Sequence, residues 1–159
     1  MSDEVARVRE LREAKRHEDH LAAACACVAR APGDVLAQIE AAYGLDRAGE
    51  EQRALVHYEA ARRLGVPASE HRHFTVGYGS TLRNVGRHED SVAVFAEAAA
   101  RHPDYPPFAA FLALALESAG RPREALATLL RLTLQVAPHD AFDGYERALT
   151  EYQRGLVRR

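Results

Sequence analysis

The chain has no tryptophan, one methionine and two cysteines, and Lys15 is the one lysine among its 21 basic residues. Each scarcity excludes something. Cys25 and Cys27 stand two positions apart, and on a helix such positions point about 200° away from each other, so they cannot bridge locally. They read as small buried fillers in a reducing compartment. No run of about 18 apolar residues occurs, and the opening MSDEVARVRELREAKRH holds no apolar core, so neither a membrane-spanning helix nor a secretion signal is expected. The expected location is the cytoplasm. The formal charge of −2 denies the chain the broad positive field with which nucleic-acid binders offset phosphate charge. The dominance of arginine over lysine fits either a codon bias or a set of bidentate carboxylate binders.

What is abundant is Ala, Leu, Glu and Arg, in a chain that is 47% hydrophobic with few strand formers. That composition favours an all-α fold. A chain of 159 residues fits one domain that buries roughly 68–70% of the surface its unfolded form exposes, with no need of metal or disulfide.

One stretch organises the rest: Gly77 to Pro103, GYGSTLRNVGRHEDSVAVFAEAAARHP. A first helix ends around Arg83, Asn84 and Val85, and Gly86 supplies the residue that takes positive φ past a helix end. Glu89 and Asp90 place negative charge at the next helix start. Ser91, Phe95 and Ala98 follow at i, i+4 and i+7 on one face, and Pro103 stops the run. The pattern recurs upstream as Gly49, Ala54, Tyr58, Ala61 and Pro67, and downstream as Gly120, Ala125, Leu129 and Pro138. A fainter copy reads His20, Ala24, Cys27 and Pro32. The intervals His20 to Ala54, Ala54 to Ser91 and Ser91 to Ala125 are 34, 37 and 34 positions, the middle one lengthened by the linker GVPASE at 65–70.

A repeated helix-turn-helix of this length resembles the tetratricopeptide repeat, whose 34-residue units stack into a right-handed α-superhelix. The small residues of that motif would be Ala42, Ala54 and Ala61 beside Leu45 and Tyr58, then Gly79, Ser91 and Ala98 beside Leu82 and Phe95. The fourth copy keeps Ala113, Leu116, Ala125 and Leu129 but has Leu132 where a small residue belongs. Gln38, Thr75 and Ala109 stand where the family has an early tryptophan. Val8, Lys15, His20 and Ala24 depart from the motif in the first copy, as suits a solenoid end that meets water instead of a neighbour. The resemblance implies a single domain over 1–159 with repeats at about 2–33, 34–68, 71–104 and 105–138 and a capping helix at about 140–157. Along Ala141–Leu156, Phe142, Tyr145, Leu149, Tyr152 and Leu156 would form one apolar stripe. It would cap the stack or hold a homodimer together.

Candidate chemistry is thin. Gly77-Tyr78-Gly79-Ser80-Thr81 lacks the trailing residues of a phosphate loop and any preceding strand. Of the eight histidines, His71 with His73 diverge on a helix, and His17 with His20 have no third ligand that zinc requires. No serine, cysteine or threonine stands in a nucleophile motif. The expectation is therefore no enzyme, no cofactor and no metal.

The resemblance instead implies a protein-interaction scaffold whose concave groove is lined by the first helix of each pair. By matching positions the groove would present Val5, Arg9 and Arg12, then Leu36, Ile39, Tyr43 and Arg47, then His73, Val76, Ser80, Arg83 and Asn84, and last Ala110, Leu114 and Glu117. That is an apolar floor with four arginines against few acids, suited to a peptide or helix with apolar anchors and some negative charge. On the alternative reading Ile39, Val76 and Ala110 are packing residues, and the arginines pair with Glu13, Asp46 and Glu117. Only Arg83 and Asn84 resemble part of the family's clamp for chaperone C-terminal carboxylates. A self-assembling structural protein, with the groove or the last helix filled by another copy, is the competing class.

Overall fold

Helix ends in this chain follow the repeat. Lys15, Gly49, Gly86 and Gly120 all take positive φ, at 57°, 76°, 85° and 74°, each just past the end of a helix. In three of these turns the next amide reaches back to a carbonyl five residues earlier: Arg16 to Leu11 at 3.0 Å, Glu50 to Leu45 at 2.9 Å and Arg121 to Leu116 at 2.8 Å. This closes helix carbonyls that would otherwise lack partners.

A computed structural model describes residues 3–158. Among them lie nine α-helices and no strand. They fall into two compact units, Met1–Val85 and Gly86–Arg159. The first unit holds α1 (Asp3–Glu13), α2 (His17–Arg30), α3 (Val35–Arg47), α4 (Glu51–Leu64) and α5 (His71–Asn84). The second holds α6 (His88–Arg101), α7 (Pro106–Ser118), α8 (Pro122–Val136) and α9 (Glu146–Val157). Within each unit consecutive helices pack on one another, the arrangement of an all-α helical repeat.

The first unit is built around Tyr58, which is fully buried. Its ring centroid lies 6.1 Å from Tyr43, 5.4 Å from Phe74 and 6.0 Å from Tyr78. Gly77 makes room for it, because a Cβ there would overlap the Tyr58 hydroxyl. A second cluster joins Val5, Val8, Ala24, Cys27, Ala37 and Ala41 across α1, α2 and α3. Where the repeat family has tryptophan, Gln38 is buried and polar: its Nε2 donates to the Pro32 carbonyl at 2.8 Å, and its Oε1 lies 2.7 Å from His57 Nδ1. In the second unit Phe95 stacks on Phe111 at 5.6 Å, and Tyr105 meets Phe108 edge-on at 4.8 Å.

The last helix is shorter than its apolar stripe suggests. Asp143 and Gly144 take φ of 50° and 85°, so the helix starts only at Glu146. Phe142 therefore lies outside it, and Tyr145 becomes its N-cap. None of the α9 residues is fully buried, and Tyr152 is 71% exposed. The fourth repeat departs too. Leu129 stands where Tyr58 and Phe95 are fully buried, yet it is 42% exposed.

Candidate functional site

The end of α3, with Arg12 from α1, the start of α4 and the exposed side of α5, encloses a cavity of about 640 Å³ in the first unit. Tyr43, Asp46 and Arg47 come from the last turns of α3, at the i, i+3 and i+4 spacing that puts side chains on one helix face. Glu51 and Tyr58 come from α4, Glu70 from the residue before α5, and His73, Val76, Gly77 and Asn84 from α5 itself. The Arg12 guanidinium sits 5.2 Å from the centre of the Tyr43 ring, a favourable cation–π distance.

Charge in this cavity is divided. Burial, with Glu70 close by, pushes the Tyr43 phenol well above its usual range. Burial also raises Asp46 above the ordinary carboxylate value, opposed by hydrogen bonds from Thr81 and Tyr58 and assisted by nearby Glu51. Those bonds measure 3.1 Å from Thr81 Oγ1 and 3.4 Å from the Tyr58 hydroxyl. Arg47 is exposed, and its one side-chain hydrogen-bond partner among the described residues is His17, with 3.5 Å between Nη1 and Nδ1.

Behind the cavity lies a buried ionic cluster. Glu40 is fully buried. Its carboxylate accepts from Arg9 Nε at 3.1 Å, lies 3.1 Å from His20 Nε2, and pairs with Arg12 Nη2 at 3.5 Å. Arg9 in turn reaches Glu70 at 3.0 Å. A buried carboxylate needs such partners, since an unpaired one would lose its hydration without return.

The tetratrico peptide repeat profile matches residues 35–156. The chain belongs to the tetratricopeptide repeat family. Its fold is also similar to the crystal structure of a thermophilic TPR protein in Thermus thermophilus, with 22% identity, a TM-score of 0.59, and coverage of 94% of this chain and 77% of that one. No curated protein matches the chain. TPR proteins are in general protein-interaction scaffolds without catalytic activity, and that is the role the family suggests here. The profile begins at Val35, so α1 and α2 lie before the matched repeats.

Within this TPR frame the residues expected in the groove separate. Arg12, Tyr43, Arg47, His73, Val76 and Asn84 line the cavity. Ile39 does not: it is fully buried, because the face of α3 that carries it points into the core. Arg9 is drawn under the surface by Glu40 and Glu70. Ser80 and Arg83 are half-buried beside the cavity; Ser80 Oγ and Arg83 Nε are enclosed without hydrogen-bond partners, while Arg83 Nη2 donates to Asn84 Oδ1 at 3.2 Å. Leu114 belongs to the second unit, on α7, and is 46% exposed.

Four arginines against few acids is thus not the lining that forms. Arg12 and Arg47 face Asp46, Glu51 and Glu70, and Asp46 is held by hydroxyls instead of an arginine. Sequence reasoning missed Glu40. It is the one charged residue in the apolar run LAQIEAAYGL at 36–45, and a lone charge in a buried run is the signal that finds it. The glycines of GYGST lie inside α5, so the segment forms no loop that could cradle phosphate. Among the described residues no group of three or more His, Cys, Asp or Glu side chains is placed to hold a metal ion, and no helix is long and apolar enough to cross a membrane.

Proposed function

We propose that the chain is a non-catalytic cytoplasmic interaction module whose first unit takes a peptide or a helix from a protein partner against the Tyr43–Arg47 side of α3. The observation that carries this reading is Arg47. It stands at the rim of a cavity of about 640 Å³, with no carboxylate paired to it among the described residues. A guanidinium held at the edge of an aromatic floor suits one carboxylate on a partner whose apolar side chain lies against Tyr43 and Val76. Asp46 and Glu51 on the same lining favour a partner that also carries a cation, so the fitting segment is mixed in charge with an acidic end at Arg47. The free thiols of Cys25 and Cys27 agree with a reducing compartment.

The test is fluorescence anisotropy with labelled amphipathic peptides that differ only in charge pattern. Peptides with a carboxylate beside an apolar anchor should bind, and Arg47→Glu should weaken them at least tenfold while circular dichroism stays unchanged. Equal affinity of wild type and Arg47→Glu for those peptides would discard this site.

A further inference from the structure

In this fold the second helix of each pair offers an apolar face to the helix that follows. On α4 that face includes Leu55 and Tyr58, 9% and 0% exposed, and the Tyr58 ring meets Phe74 and Tyr78 of α5. On α6 the matching residues, 37 positions on, are Val92 and Phe95, at 7% and 0%, and Phe95 stacks on Phe111 of α7. Another 34 positions on, α8 carries Leu126 and Leu129 at the same places, at 55% and 42%. The face continues through Thr133 to Val136, itself 56% exposed. The steps of 3, 4 and 3 make one continuous stripe along the helix. This stripe of the last pair stays exposed although α9 packs on α8.

The chain also carries the aromatic side chains such a face receives, left outside its own core. Counted 34 positions on from Phe108 and Phe111, which meet α6, stand Phe142 and Tyr145. The turn at Asp143 and Gly144 breaks the helix there, so Tyr145 does not seat on α8 as Phe111 seats on α6, and it is 67% exposed. Tyr152, seven residues further and on the same side of the helix, is 71% exposed. Helix α9 lies antiparallel to α8, tied at its end by Arg123 Nε donating to the Leu156 carbonyl at 3.3 Å.

We infer that the α8–α9 end of the second unit is a homodimer interface. In it the Leu126–Leu129–Val136 stripe of each copy receives Tyr145 and Tyr152 of the other about a twofold axis. Three arguments select a second copy as the occupant. Open stripe and unseated aromatics belong to the same hairpin, so one twofold contact satisfies both on both copies at once. The stripe carries no charge from Leu126 to Leu129 to Thr133 to Val136, so two copies meet without opposing like charges. The exposed parts of these five apolar side chains come to roughly 600 Å², close to the ~800 Å² per partner of a stable interface. Tyrosines are also enriched in such contacts. This interface lies in the other unit from the Arg47 cavity and does not depend on it.

Sedimentation equilibrium of the full chain from about 1 to 200 µM tests the inference. The wild type should show a concentration-dependent dimer, and Leu126→Glu/Leu129→Glu should weaken it at least tenfold. Because that double variant could disturb α8, Tyr152→Lys is run beside it. Its side chain is mostly in solvent, so the fold should survive by circular dichroism, and the dimer should still weaken. A wild type that stays monomeric at 200 µM overturns the inference, as does a dimer unchanged in Tyr152→Lys. Peptide binding at Arg47 is measured on the same variants, so failure at one site is not mistaken for failure at the other.

Discussion

The hydroxyl of Tyr58 occupies the place where Gly77 would carry a Cβ, and the Tyr58 ring carbon Cζ stands 3.0 Å from that point. Tyr58 cannot retreat, because Tyr43, Phe74 and Tyr78 enclose its ring. Gly77→Ala gains about 1 kcal/mol of helix propensity and forces an overlap that costs about 1–3 kcal/mol in a packed core. We expect a net loss of up to about 2 kcal/mol in urea unfolding. Tyr58→Phe removes the overlapping oxygen and gives up its long hydrogen bond to Asp46 at 3.4 Å and its hydrogen bond with Thr81. In the Gly77→Ala background Tyr58→Phe should therefore restore part of the stability, since Cζ stays close to the new Cβ, and a double-mutant cycle should show coupling of about 1 kcal/mol.

Lys15 holds φ of 57° at the position where the later repeats place Gly49, Gly86 and Gly120. A side chain in the left-handed region costs roughly 1 kcal/mol that glycine does not incur, while glycine adds entropy to the unfolded chain. Lys15→Gly is expected to stabilise the protein by about 0.5 kcal/mol, and Gly49→Ala to destabilise it by about 1 kcal/mol. Thermal unfolding of the pair measures both. These turns show how much of the fold was legible in the sequence. A stop glycine returning at 37 and 34 positions, from Gly49 to Gly86 to Gly120, is local chemistry, and local chemistry is written in adjacent residues. The late start of α9 is local too, but Asp143 has no such regular counterpart and was absorbed into an apolar period that runs through it.

Glu40 shows what adjacent residues do not reveal. The resemblance to the repeat family, position by position, assigns Arg9 and Arg12 to the groove. Their partner is 31 and 28 positions away on α3, and only the packing of α1 on α3 brings it near. Removing one side of a buried ion pair leaves the other charge uncompensated. Glu40→Ala should cost about 3–5 kcal/mol, whereas Arg47→Glu, on an exposed side chain, should change stability by less than about 0.5 kcal/mol. Chemical denaturation of the two variants separates a fold residue from a site residue. Arg12→Ala should resemble the first more than the second.

Asp46 links the cavity to pH. Its folded-state pKa is raised, burial being the largest cause, so between the ordinary value of 3.8 and the raised one the folded chain holds more proton than the unfolded chain. Stability then falls as pH rises through that window and stays lower above it. The ionised carboxylate is thus a burden at neutral pH, moderated because Asp46 is half-buried and solvent still screens part of its charge. Asp46→Asn removes the charge and keeps one carbonyl oxygen to accept from Thr81, while the longer Tyr58 bond to the second carboxylate oxygen is given up. It should stabilise the protein slightly at pH 7, and the advantage should fade as the wild type is titrated down through the Asp46 transition. Urea midpoints measured from pH 4 to 7 on both proteins decide it: two parallel curves would mean that Asp46 titrates as an ordinary solvated carboxylate.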